Sequence, residues 1–240
     1  MNYSTGLQRA DLSFLHRRQK RTKRALAEIP LTLCYGTDAY NDAWACDDAS
    51  DFARVIQGKG FFPLRALPMT PGGPPEPLRP YAGLEGIKPW GVRQIWISWA
   101  YTIYYFMQDV PEHLRHLIAH SHAGQAAWFL AADGFRFASV TFVGTPNRND
   151  VPINEGIKNI DVAQIIYDAK WDKMAFLGGL FDKSINTDRS FSRLGDRIVR
   201  YPIADIAHSK VLRDPEYVTL WDTKPWLDNI RAATSPKEAA

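Results

Sequence analysis

Between Leu114 and Pro146 the chain reads LRHLIAH, then SHAGQAAWFLAADG, then FRFASVTFVGTP. The outer pieces contain short β-prone apolar runs. The middle one is an apolar stretch of helical length that opens on small residues. A strand, a helix and a second strand in that order favour one compact arrangement, with the strands parallel and the helix crossing over the sheet. This unit constrains the fold more than any other part of the chain.

The alternation continues on both sides. IPLTLCYG (29–36) reads as a buried strand, and DDASDFARVIQGKG (47–60) as a helix with Phe52, Val55 and Ile56 at helical spacing. FFPLRAL (61–67) is the next strand, and its Pro63 favours a sheet edge. VRQIWISWAYTIYYFMQDV (92–110) is long enough for a helix, with Ile95, Trp99, Thr102, Ile103 and Phe106 in a stripe. VAQIIYDA (162–169) is a further strand, followed by helix-like KMAFLGGLF. DRIVRYPI (196–203) is a last strand, and PEYVTLWDTKPWLDNIRAAT (215–234) a closing helix. The expected class is α/β: a three-layer α/β/α arrangement around a mostly parallel sheet. It occupies one domain over residues 29–234, between a basic N-terminal extension (1–28) and a C-terminal tail (235–240). A Pro/Gly-rich excursion at 68–91 is expected to run over the surface.

Composition narrows the function classes. A net charge of +3 over 240 residues is too mild for a nucleic-acid partner. Much of the excess lies in HRRQKRTKR (16–24), which reads as a solvated leader. The cysteines, Cys34 and Cys46, form no disulfide framework. The first thirty residues lack the apolar core of a signal peptide, and no apolar run reaches spanning length. The expectation is a cytoplasmic chain without stable membrane insertion. The 8 Trp, 10 Tyr and 12 Phe point to a core or pocket built heavily from rings.

Ser121 falls where the strand gives way to the helix. A serine on such an elbow needs small neighbours, because strand and helix pack closely around a tight, strained turn. Ala119, Ala123 and Gly124 supply that room. The product of the turn is an exposed Oγ beside a backbone N–H aimed at a developing oxyanion. In Ala119-His120-Ser121-His122-Ala123-Gly124 the chain resembles the elbow of the α/β-hydrolase superfamily, with alanine at two positions where the family usually has glycine. Three further segments carry the resemblance. CYGTDAYNDAW resembles the family's oxyanion turn, with Tyr35 in place of the usual histidine. AQIIYDAKWDKMAFLGG resembles the segment bearing the triad acid. PIADIAHSKVLRDPEYVTLWD resembles the segment bearing the triad histidine.

The resemblance runs from about Leu31 to Trp221 and is nearest to small phage- or bacterium-type lipase/esterase-like members. It implies a hydrolase-like sheet lacking the family's first two strands, and a Ser…Asp…His order. Ser121 is then the nucleophile, His208 the general base, and Asp172 the acid, with Asp168 its rival. The N–H groups of Thr37 and His122 form the oxyanion hole. It implies a small-molecule, partly apolar acyl substrate and neither cofactor nor metal, with Tyr81, Leu84 and Trp90 on the excursion available to meet the acyl group. Two other readings stand beside it. One keeps the fold as a non-catalytic binding or scaffolding module. The other gathers His113, His116, His120 and His122 around a metal, although a strand from Arg115 to Ala119 scatters them. On the hydrolase reading His113 and His116 lie at the surface and His120 packs beside the elbow.

Overall fold

The computed structural model describes residues 29–34, 51–65, 100, 103–104, 106–121, 123–148, 151–167, 185–186, 192–201 and 225–234. In chain order the elements are β1 (Ile29–Cys34), helix α1 (Asp51–Gly58), β2 (Phe61–Arg65), β3 (His116–His120), helix α2 (Ala123–Ala132), β4 (Phe137–Val143), β5 (Asn147–Arg148), the single-turn α3 (Ile153–Gly156), β6 (Ile160–Tyr167), β7 (Ile185–Asn186), β8 (Val199–Arg200) and α4 (Trp226–Ala233). Among the described residues, six strands form one sheet in the order β2-β1-β3-β4-β6-β8. Every neighbouring pair in it is parallel. β5 and β7 form a separate antiparallel ribbon. The protein is therefore of the α/β class.

The order of the strands reverses once. From β1 the chain passes through α1 to β2 on one side, then returns to lay β3 against the other side of β1; β4, β6 and β8 continue outward from there. β2 is thus an edge strand, where Pro63 pairs with Leu31 without interrupting an interior ladder.

The centre of the sheet is buried on both faces. All seven residues of β4 are buried, as are all but the last of β3. Every residue of α2 from Ala123 to Ala131 is buried too, so this helix is covered all round. On its inner side Trp128 stacks on Phe142, with ring centroids 4.5 Å apart and planes 11° from parallel. α3 lies so close to the same helix that a Cβ on Gly156 would come within 2.9 Å of the Trp128 ring. There Asn159 Nδ2 donates to the Ala131 carbonyl at 2.8 Å.

Neighbouring positions on β4 and β6 turn the other way. Gln164, level with Thr141, donates to its Oγ1 at 2.9 Å and to the Trp226 carbonyl of α4 at 3.0 Å. Asn229 Nδ2 donates to Gln164 Oε1 at 3.1 Å and to the Tyr201 hydroxyl at 2.8 Å. A buried amide with both ends used is tolerated in a core and fixes how α4 docks.

The helix expected over 92–110 is helical at Ala100, Ile103, Tyr104, Phe106 and Met107. Ile103 and Met107 are fully buried and Phe106 packs against the core. Ile95, Trp99 and Thr102 lie outside the described residues, as does the excursion 68–91. Two expectations need correction. The strand expected over 196–203 is reduced to Val199–Arg200, because Ser192–Arg197 winds as 3₁₀ turns broken at Gly195 (φ 54°, ψ −128°). The closing helix does not run through from 215, since Pro225 is a turn residue and the helix starts at Trp226. Proline offers no N–H to a preceding turn and fits just ahead of a helix. No helix among the described residues is long and apolar enough to cross a membrane.

Candidate active site

The chain leaves β3 at His120, turns at Ser121 and enters α2 at Ala123. Ser121 stands at φ 54°, the only non-glycine residue at positive φ among those described. A side-chain-bearing residue held there costs about 1–3 kcal/mol, which the surroundings must impose. Two hydrogen bonds help to do so. The Ser121 N–H donates to the Val143 carbonyl at 2.8 Å, and the Gly124 N–H donates to the Ser121 carbonyl at 3.1 Å. Ser121 is 6% exposed, more enclosed than the open position expected of the turn. Its own N–H is committed to Val143 and so takes no part in holding an oxyanion.

The small residues have separate reasons. Ala119 and Ala123 are wholly buried where strand and helix meet. Gly124 admits no side chain at all, since a Cβ there would sit 2.8 Å from Thr145 Cβ and closer still to its Oγ1 and Cγ2. The glycine is demanded by the close approach of the segment that follows β4, not by its own backbone angles.

Ser121 follows the carboxyl end of β3, beside the place where the strand order reverses. Cys34 at the end of β1 is level with Ala119, His120 with Val143, and Val143 with Tyr167 at the end of β6. In open parallel sheets, ligands bind in the crevice outside the carboxyl ends at such a reversal, where the neighbouring connections diverge.

Of the residues expected to form the site, Ser121 is described. Thr37, His122, Asp168, Asp172 and His208 lie outside the described residues, as do Cys46, Tyr81, Leu84 and Trp90. Cys34 is buried in β1. His113 is exposed and His120 half-buried.

His116, expected at the surface, is instead fully buried. β3 lies between β1 and β4, and the end of α4 covers this face. His116 Nδ1 shares a 2.9 Å hydrogen bond with Ser139 Oγ, and Nε2 a 3.3 Å one with Thr234 Oγ1. Burial pushes its pKa down to about 4, against a smaller opposing pull from the His113 backbone. Both ring nitrogens face hydroxyls, so His116 has neither one turned toward a shared metal position.

The residues that sequence reasoning missed are those bracing the turn. Gln125 is fully buried and its Nε2 donates to the Pro146 carbonyl. Thr145, also fully buried, directs Oγ1 to the Ala119 carbonyl at 3.4 Å. One signal was available: Gln125 is the sole polar side chain in AGQAAWFLAA, and a polar group inside an apolar helix needs a partner.

No protein-family model matches the chain, and no curated protein sequence matches it either.

Proposed function

We propose that the chain is a serine hydrolase of the α/β-hydrolase kind, cleaving a carboxylic ester through an acyl-enzyme. The observation that carries this reading is the left-handed backbone of Ser121 between β3 and α2. Strain of this sort persists where the surrounding structure imposes it, and it clusters at functional sites. The position of Ser121 at the reversal of strand order supports the same reading. So does the chain order of the candidate groups, Ser121, then Asp168 and Asp172 after β6, then His208 before α4. On this reading the helices on the two faces of the sheet are the outer layers of a three-layer α/β/α domain without the family's first two strands.

Ser121 Oγ attacks the acyl carbonyl while His208 takes its proton. Asp172 holds the imidazole in the required tautomer and stabilises its charged form. The N–H groups of Thr37 and His122 hold the oxyanion, and losing one such donor costs about 3 kcal/mol of transition-state stabilisation. The alcohol leaves with the proton from His208, and water then releases the acyl group by the same route. No metal or cofactor enters this scheme. An acyl group that is partly apolar and a cytoplasmic setting belong to the same proposal.

The test is turnover of nitrophenyl esters of graded acyl length. Wild-type protein hydrolyses at least one of them, Ser121→Ala and His208→Ala fall by roughly 10⁴-fold or more, and Asp172→Asn falls further than Asp168→Asn. Loss confined to Asp168→Asn moves the acid to Asp168. Turnover unchanged in Ser121→Ala removes the proposal.

A further inference from the structure

After Val143 the chain turns at Gly144, whose φ is 55°, and folds Thr145 and Pro146 over the beginning of α2. Three contacts fasten this segment to the elbow. Thr145 fills the space left by the missing Gly124 side chain, its hydroxyl reaches back to the Ala119 carbonyl, and Gln125 Nε2 donates to the Pro146 carbonyl. The same segment leads directly out of Val143, whose carbonyl accepts the Ser121 N–H. Holding residues 144–146 in place therefore holds the acceptor that fixes the left-handed turn.

Gln125 is the least expected member of this group. It is fully buried in an otherwise apolar helix, and its Oε1 makes no hydrogen bond among the described residues. Burying an amide with its acceptor unused is unfavourable compared with an apolar side chain of similar shape. Packing alone would select leucine or methionine here. What an amide adds is the N–H given to Pro146.

We propose that Gln125 is a positioning residue for Ser121. By tying Pro146 to the first turn of α2 it keeps residues 143–146 against the elbow and the Ser121 backbone in its left-handed state. The proposal rests on the reading of Ser121 as the nucleophile. It concerns the rate of acylation and not the binding of substrate.

The test compares wild-type protein with Gln125→Leu and Gln125→Glu, using the rate of fluorophosphonate acylation and the kcat and KM of the best nitrophenyl ester from pH 6 to 9. Leucine keeps the volume and removes the donor. Its kcat and acylation rate are expected to drop roughly 10- to 100-fold, as expected for a small misplacement of a reacting group. KM should stay within about twofold and near-ultraviolet circular dichroism should match wild type. Glutamic acid can give its O–H to Pro146 only while protonated. Gln125→Glu is therefore expected to lose activity toward high pH along a limb that wild type lacks. A folded leucine variant acylated at the wild-type rate overturns the proposal. If leucine prevents folding, a glutamate variant with the wild-type pH profile overturns it as well. Failure of the underlying reading looks different: wild-type protein itself then carries no fluorophosphonate on Ser121.

Discussion

Ser121 occupies a backbone conformation that glycine adopts freely and serine does not. That gives a stability test independent of catalysis. Ser121→Gly is expected to be more stable than Ser121→Ala by about 1 kcal/mol, because relief of strain outweighs the added freedom of the unfolded chain. Urea unfolding of the two variants decides it, and equal midpoints would mean that the turn relaxes at no cost. The next residue-scale test is Gly124→Ala. Its methyl group collides with Thr145, so a loss of about 1–3 kcal/mol is expected. Adding Thr145→Ala should recover part of that loss, since it removes the colliding atoms. At this scale the sequence was legible where small residues cluster, because a tight turn leaves no alternative to them. It was not legible in Gln125, Thr145 and Pro146, whose meeting depends on how β4 aligns with β3, the two strands ending level at Val143 and His120. Only the folded register shows that.

Among the elements, α4 is tied to the sheet by two polar groups, Gln164 near its start and His116 near its end. The His116 contact makes this docking sensitive to pH. The folded pKa of about 4 lies below the ordinary value near 6.5, so the unfolded chain takes up the proton first as pH falls. The stabilisation from neutral, buried His116 is complete above about pH 6.5, declines through the window down to about pH 4, and is flat below it. The span corresponds to about 3 kcal/mol. Urea unfolding at pH 7.5, 5.5 and 4.5 should show this slope, and His116→Gln should flatten it while lowering stability at pH 7.5. A slope unchanged in His116→Gln assigns it to other groups.

The element pattern explains why His116 was misread. In LRHLIAH the histidine follows Arg115 at the head of the apolar run, which reads as the solvated start of a strand. The hydroxyls that let this histidine be buried come from Ser139 on β4 and from Thr234, just past α4. Likewise, periodicity in 215–234 signalled a helix but carried no weight against Pro225, which sets its start.

For the whole molecule, alternating strands and helices were enough to foresee a parallel α/β sheet, and Pro63 enough to place β2 at its edge. The order of the strands was not foreseeable in the same way. Hydrophobic pattern reports which side chains are buried, not which neighbour a strand chooses, and the reversal beside β1 is a matter of neighbours. The strand–turn–helix carrying Ser121 was legible because it is local. The partnership proposed for it with Thr37, His208 and an aspartate is long-range and rests on their order along the chain.

The central claim is that Ser121 is an activated nucleophile. Intact-mass and peptide mass spectrometry after exposure to a fluorophosphonate tests it most directly. The account predicts one equivalent of label on wild-type protein, located at Ser121, absent from Ser121→Ala and greatly slowed in His208→Ala. Well-folded wild-type protein that takes no label, or label that persists in Ser121→Ala, would contradict it.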